Sequence, residues 1–279
     1  MNQPPRCQAV AKLDAAQRRT AGLLSIGLEP SPEYLPAGFE PTIAGFEAAL
    51  RLIIDATRDL ACAYKFNLAF FESLGSPGAA LLERVRAAVP AEALLIADAK
   101  RGDIGSTAKH YARSLYDVLG ADAATVNPLM GRDSAEPFLA YQSKLTYFLG
   151  LTSNPGAADF LLPGGLYRSI ATAVADWNTA GNCGLVVGAT RSDHVAEMRA
   201  LAPHVPFLVP GVGAQGGDLE AVLRHGAIGA EAPGLLIHVT RGVLPAPDDK
   251  GDAGEIIRRR AIQWRDRTGS AAAVEGSTR

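Results

Sequence analysis

Short runs of aliphatic and β-branched residues recur along this chain with amphipathic stretches between them, and that alternation constrains its fold more than any other feature. The runs are LLSIGLE (23–29), AYKFNLAF (63–70), ALLIADAK (93–100), AATVNPL (123–129), TYFLGLT (146–152), CGLVVGA (183–189), FLVPGVG (207–213) and GLLIHVT (234–240), eight in all. Each is apolar nearly throughout, without strict polar alternation, which is the pattern of a parallel strand covered on both faces. Segments between them, such as 43–60, 77–90 and 192–203, repeat apolar residues at helical spacing, with Ser192 or Asp193 placed to cap the last. Alternating β and α units predict a parallel sheet, and a count of eight predicts closure into a (β/α)8 TIM barrel. The 279 residues suit one such domain, since barrels of this kind use about 250. Residues 1–20 are expected to form a helical extension before the barrel, and the small, polar residues 270–279 a frayed, disordered tail.

Composition narrows the function. With 27 basic and 29 acidic residues and no basic run, the chain lacks the electrostatic footprint of a nucleic-acid binder. No apolar stretch approaches the roughly 20 residues of a membrane span, and the first twenty residues lack the apolar core of a secretory signal, so a cytoplasmic protein is expected. Cys7, Cys62 and Cys183 are widely spaced and the five histidines form no HxxxH or HExxH pattern; neither a disulfide framework nor a metal site is expected.

In a barrel the active site lies at the C-terminal ends of the strands, so the polar residues closing each run are the candidates. Glu29, Lys65, Asn67, Asp98, Lys100, Asn127, Ser153, Gln215 and Arg241 all stand at or just past such ends. Converging charges are costly to desolvate unless they pair or bind something, which marks a site. The densest signal is DAKRGDIGSTAKHY (98–111). Residues two apart on a strand share a face, so Asp98 and Lys100 should both point into the barrel mouth, with Asp103 folding back from the next turn. In that carboxylate, ammonium, carboxylate row each opposite pair at about 4 Å is worth roughly 4 kcal/mol near an effective dielectric of 20, so Lys100 should stay protonated and act as a proton donor. A surface salt-bridge cluster is the plain alternative.

A second signal is PGVGAQGGD (210–218), followed by HVTRG (238–242). Glycines after a strand let backbone N–H groups approach an anion, the loops after strands seven and eight often hold phosphate in such barrels, and Arg241 can clamp it. GVGAQG also matches G-x-G-x-x-G, but arrives too late in the chain to open a dinucleotide fold, and no P-loop is present. Two Pro- and Gly-rich segments, 127–134 and 153–165, are candidates for closing over a ligand.

SIGLEPSPEYLP, AYKFNLAFFE, DAKRGDI, TSNPG, GATRS, PGVGAQGGD and HVTRG, in this order across most of residues 23–242, resemble the orotidine 5'-phosphate decarboxylases, particularly their longer bacterial branch. The resemblance implies a homodimeric barrel converting orotidine monophosphate to uridine monophosphate in pyrimidine biosynthesis, with no metal or organic cofactor. It implies that Lys65, Asp98, Lys100 and Asp103 form a charged catalytic network with Lys100 the proton donor. Asp103, Ile104 and Thr107 would reach across the dimer into the partner's site. Ser153 would read the pyrimidine edge, Gln215 would bridge base and phosphate, and Arg241 with the loop from Pro210 through Gly216 would grip phosphate. Glu29 stands where the family usually has an aspartate contacting the ribose, its arm longer by one methylene, and Asn67 is a further substrate-binding candidate.

Three other functions fit part of this pattern. A magnesium-dependent keto-sugar-phosphate decarboxylase or hexulose-phosphate synthase uses a similar strand but binds the metal through carboxylates. A Schiff-base aldolase also places lysine on a barrel strand, though without flanking acids. A non-catalytic phosphate-ligand binder would leave the charge row without purpose.

Overall fold

The computed structural model describes residues 5–190, 192–212, 217–229, 234–246 and 248–269. Eight parallel strands close a barrel in sequence order: β1 (Leu24–Leu28), β2 (Ala63–Asn67), β3 (Leu94–Arg101), β4 (Ala123–Val126), β5 (Leu145–Leu151), β6 (Cys183–Val187), β7 (Phe207–Pro210) and β8 (Leu235–Val239), with β8 pairing back to β1. All eight runs expected from the sequence are strands, within a few residues at their ends. Three stop three residues early, at Asn67, Val126 and Pro210, and two of these have a local reason. Asn67 gives way to a helical turn over Leu68–Glu72, and β7 ends at Pro210, which has no N–H for the ladder.

The continuous apolar reading of each strand has two sources. Alternate residues such as Leu24, Ile26, Leu28 and Phe66 join the large core between barrel and helices, whereas Ala63, Leu94, Ile96, Tyr147, Leu208 and Leu236 belong to a separate interior cluster. The helix Ile43–Thr57 shows how the outer layer is specified. The Thr42 hydroxyl accepts the Gly45 N–H as its cap, and Phe46, Leu50, Ile53 and Ile54 recur at three- and four-residue spacing on its buried face. Burying each of those large side chains contributes roughly 1.5–3 kcal/mol relative to leaving it exposed. The expected helix at 77–90 is Gly75–Arg86, and that at 192–203 is Ser192–Leu201. Ser192 and Asp193 thus both fall inside the first turn instead of at the cap, where Asp193 meets the positive end of the helix dipole.

The helix Gln8–Thr20 closes the floor of the barrel, the end where the strands begin. Ala9, Val10, Leu13 and Ala16 pack into the interior cluster, Ala9 N–H donates to Ser143 O ahead of β5, and Gln17 Nε2 donates to Leu235 O at 2.6 Å. On the same side Arg199 is half-buried, and no carboxylate pairs with it among the described residues. Its guanidinium donates to the carbonyls of Ala202, Val205, Gly226 and Gly234 and stacks 3.7 Å from the Phe207 ring centroid, and burial pushes it down to about 9. Among the described residues, no helix is long and apolar enough to cross a membrane.

Candidate active site

Opposite the plugged floor, the strand ends open into a cavity of about 400 Å3. The interior positions become polar on approaching it: Ala63 is followed two residues on by Lys65 and then Asn67, Ile96 by Asp98, Ala123 by Thr125, and Leu236 by His238. Side-chain parity along a strand thus carries the apolar interior upward into a polar mouth.

Asp98 is the centre of that mouth. Its Oδ2 accepts Lys65 Nζ at 2.5 Å, and its Oδ1 accepts Lys100 Nζ at 2.6 Å and the Thr125 hydroxyl at 2.8 Å. Asp98 is 7% exposed, and burial works to raise its carboxyl, but the ammonium groups of Lys65 and Lys100 outweigh this and hold it well below the usual carboxylate range. Glu29 Oε1 lies 3.9 Å from Lys65 Nζ. Burial raises the Glu29 carboxyl, only partly offset by Lys65 and by a hydrogen bond from Asn67.

Lys100 reaches this network through an irregularity that the alternation rule does not foresee. Ala97 pairs with Ala124 and Arg101 with Val126, so four steps along β3 oppose two along β4. The excess is taken up by a bulge in which Lys100 adopts a left-handed backbone with φ 48° and donates its N–H to Thr125 Oγ1 at 2.9 Å. For a residue with a Cβ that conformation costs on the order of 1–3 kcal/mol and tends to persist where the surroundings fix it. The Lys100 side chain is 50% exposed and aimed at the cavity, while that of Lys65 is 5% exposed beneath it.

The charged row therefore differs from the one expected. It runs Lys65, Asp98, Lys100, with an acid between two cations. Asp103 makes no ion pair with Lys100; its Oδ1 accepts the N–H of Ile104 at 2.7 Å. The reason is that β3 continues to Arg101, whose carbonyl accepts the Asn127 N–H, and this carries the following residues beyond the mouth of their own barrel. Asp103, Ile104 and Thr107 do not line the cavity, and Ile104 is 54% exposed. Glu29, Asn67, Ser153, Pro210 and Arg241 do line it. Gln215 and Gly216 lie outside the described residues.

Ser153 follows β5 and is brought close by Gly188, where a Cβ would stand 2.7 Å from the Ser153 nitrogen; the Thr190 hydroxyl also donates to the Ser153 carbonyl. Arg241 opens a short helical turn after β8, and no carboxylate pairs with it among the described residues. Thr125 and His238 are wall residues absent from the sequence-based candidates. His238 Nδ1 lies 3.3 Å from Ser25 Oγ and Nε2 3.3 Å from Thr240 Oγ1, and burial together with Lys65 holds the ring well below the ordinary histidine range, so it is neutral. Gly27 gives Thr240 its place, since a Cβ there would meet the Thr240 hydroxyl at 2.0 Å. The signal for both missed residues is parity: counted in twos from the apolar floor, each falls on the inward face.

A family profile described as orotidine 5'-phosphate decarboxylase / HUMPS matches residues 23–256, which spans every strand and every cavity residue named above. The chain belongs to that family. Among curated relatives of the orotidine 5'-phosphate decarboxylase / HUMPS family, the orotidine 5'-phosphate decarboxylase of Azoarcus sp. is 46% identical over 264 residues, covering 91% of this chain and 96% of that one. The protein of the same name from Roseiflexus castenholzii is 44% identical over 265 residues, covering 93% and 96%. In three dimensions the structure of Leishmania donovani OMP decarboxylase superposes with a TM-score of 0.82 at 37% identity, over 95% of this chain and 99% of that one. The cavity thus brings together a half-exposed lysine, the buried carboxylate it pairs with, and an arginine that no carboxylate pairs among the described residues. Among the described residues, no three His, Cys, Asp or Glu side chains are grouped to hold a metal ion.

Proposed function

We propose that this chain converts orotidine 5'-monophosphate to uridine 5'-monophosphate and CO2 in de novo pyrimidine biosynthesis, without a metal or organic cofactor. The observation that carries the reading is the Asp98 carboxylate with Lys100 on one oxygen and Lys65 on the other, in a cavity at the barrel mouth that Arg241 also lines. Breaking the bond between C6 and the carboxylate leaves its electron pair on C6, in the ring plane, where no π-system delocalises it. Lys100 stabilises that charge and then transfers a proton from Nζ to C6. Asp98 orients Lys100 and disfavours the departing carboxylate by repulsion, while Lys65 keeps Asp98 ionised. Rate enhancements of up to ~10^17 correspond to about 23 kcal/mol, whereas one preorganised donor supplies about 3–4 kcal/mol, so binding energy from the distant phosphate has to contribute. Arg241, Gln215 and the loop from Pro210 through Gly216 are assigned to that phosphate, Ser153 to the pyrimidine edge, and Glu29 with Asn67 to the ribose.

The working unit in this reading is a homodimer in which Asp103, Ile104 and Thr107 complete the partner's site. Supporting it are the Asp103 carboxylate, which pairs with no cation among the described residues, and the exposed apolar side chains of Ile104, Leu129 and Met130. The cytoplasm is the proposed compartment, in keeping with three buried, unpaired thiols, two of them pushed up to about 12 by burial.

The deciding experiment follows the loss of orotidine monophosphate absorbance with and without EDTA, on a sample whose mass in solution is also measured. Turnover indifferent to EDTA by a dimer is the expected result. No turnover refutes the activity, loss with EDTA favours the magnesium-dependent keto-sugar-phosphate reading, and an active monomer refutes the shared site.

Glu29 should set the acid limb of substrate binding. Its carboxyl is raised by burial whereas that of Asp98 is lowered, so on acidification Glu29 protonates first and Asp98 stays ionised. KM is therefore expected to rise as pH falls through a value above the ordinary glutamate range, and Glu29→Gln should abolish that dependence. A limb unchanged in Glu29→Gln would assign it to another group.

A further inference from the structure

Thr125 sits in β4 among Ala123, Ala124 and Val126 and is 1% exposed. A threonine hydroxyl has one proton to give and lone pairs to accept with. Here the proton goes to Asp98 Oδ1 at 2.8 Å, and the lone pair accepts the backbone N–H of Lys100 at 2.9 Å. Lys100 Nζ donates to the same Oδ1 at 2.6 Å. The three hydrogen bonds and the Lys100 side chain close a ring: Lys100 amide, Thr125 hydroxyl, Asp98 carboxylate, Lys100 ammonium.

Both ends of Lys100 depend on that ring. Its backbone holds φ 48° in a bulge where the β3–β4 register is broken, so the regular ladder does not fix it. Its side chain is half exposed, with Asp98 as the acid that holds Nζ. Remove the hydroxyl and the Lys100 N–H loses its acceptor, which frees the backbone to leave the left-handed region and swing Nζ away. The Asp98 carboxylate loses its one neutral donor among the described residues at the same time and can follow whichever lysine moves.

We propose that Thr125 is a positioning residue for the proton transfer, its hydroxyl fixing the Lys100 backbone and the Asp98 carboxylate to the same strand so that Nζ meets the reacting carbon. The inference rests on the decarboxylase reading for its kinetic readout alone. Valine keeps the shape of threonine without the hydroxyl, and serine keeps the hydroxyl. In the full-length protein Thr125→Val should lower kcat about a hundredfold, the size of one lost preorganised hydrogen bond in a catalytic centre. KM and the Kd for uridine 5'-monophosphate should stay within about threefold, because ground-state contacts are untouched. Thr125→Ser should restore most of kcat.

The idea fails if Thr125→Val keeps near-normal kcat, if product affinity falls in parallel with kcat, or if serine gives no rescue. A second readout needs no turnover. Acetylation of Lys100, followed by mass spectrometry, should quicken severalfold in Thr125→Val and not in Thr125→Ser; equal rates in all three proteins overturn the ring. An unmodified chain that leaves orotidine monophosphate intact refutes the proposed activity, and the labelling comparison then decides the role of Thr125 alone.

Discussion

Replacing Lys100 with alanine is expected to lower kcat at least ~10^4-fold, because in the proposed reaction it would remove both the stabilising cation and the general acid, each worth roughly 10^2-fold or more. At 1.36 kcal/mol per tenfold this is about 5.4 kcal/mol of transition-state stabilisation. Uridine 5'-monophosphate should bind nearly as before, since the residues proposed to hold its phosphate and ribose do not include Lys100. The structure adds a condition. With Lys100 gone, Asp98 keeps Lys65 at 2.5 Å and stays ionised, so the variant should not recover at lower pH. Single-turnover kinetics with product titration checks this, and a Lys100→Ala protein with near-normal kcat refutes the assignment.

Arg241→Ala should act on binding. A bidentate arginine gives phosphate two charge-assisted hydrogen bonds, each worth roughly 1.5–3 kcal/mol, so kcat/KM should fall by ~10^2-fold or more, mainly through KM. Arg241 has no carboxylate to release among the described residues, so the loss is not cushioned by a competing ion pair. Uridine, which lacks the phosphate, should bind wild type and variant equally in calorimetry; equal weakening of both ligands would place Arg241 elsewhere.

The fold was legible because barrel strands are buried on both sides and therefore write themselves as unbroken apolar runs. What the runs hide is their parity. Thr125 sits among alanines and a valine, and His238 among leucine, isoleucine and valine, so a reading that looked for polar residues at run ends passed over both. Counting inward positions from Ala63, Ile96, Ala123 and Leu236 finds them. The Lys100 position was found for an incomplete reason. Regular alternation placed it beside Asp98, but a bulge and a left-handed backbone bring it there, and neither has a sequence signature when the residue is lysine. The expected Lys100–Asp103 pair failed because β3 runs one residue past Lys100, a boundary that local propensity does not fix. In the proposed homodimer Asp103 would act in a second chain, and the folding pattern of one chain does not encode such a contact.

The helix Gln8–Thr20 gives the two ends of the barrel separate duties. Substitutions that loosen it, such as Leu13→Ala, create a void in the floor and should reduce how much folded protein accumulates, with the chemistry of each folded molecule left as it was. Because the helix Gln8–Thr20 leads into β1 from that sealed side, it leaves the opposite face clear for ligand traffic.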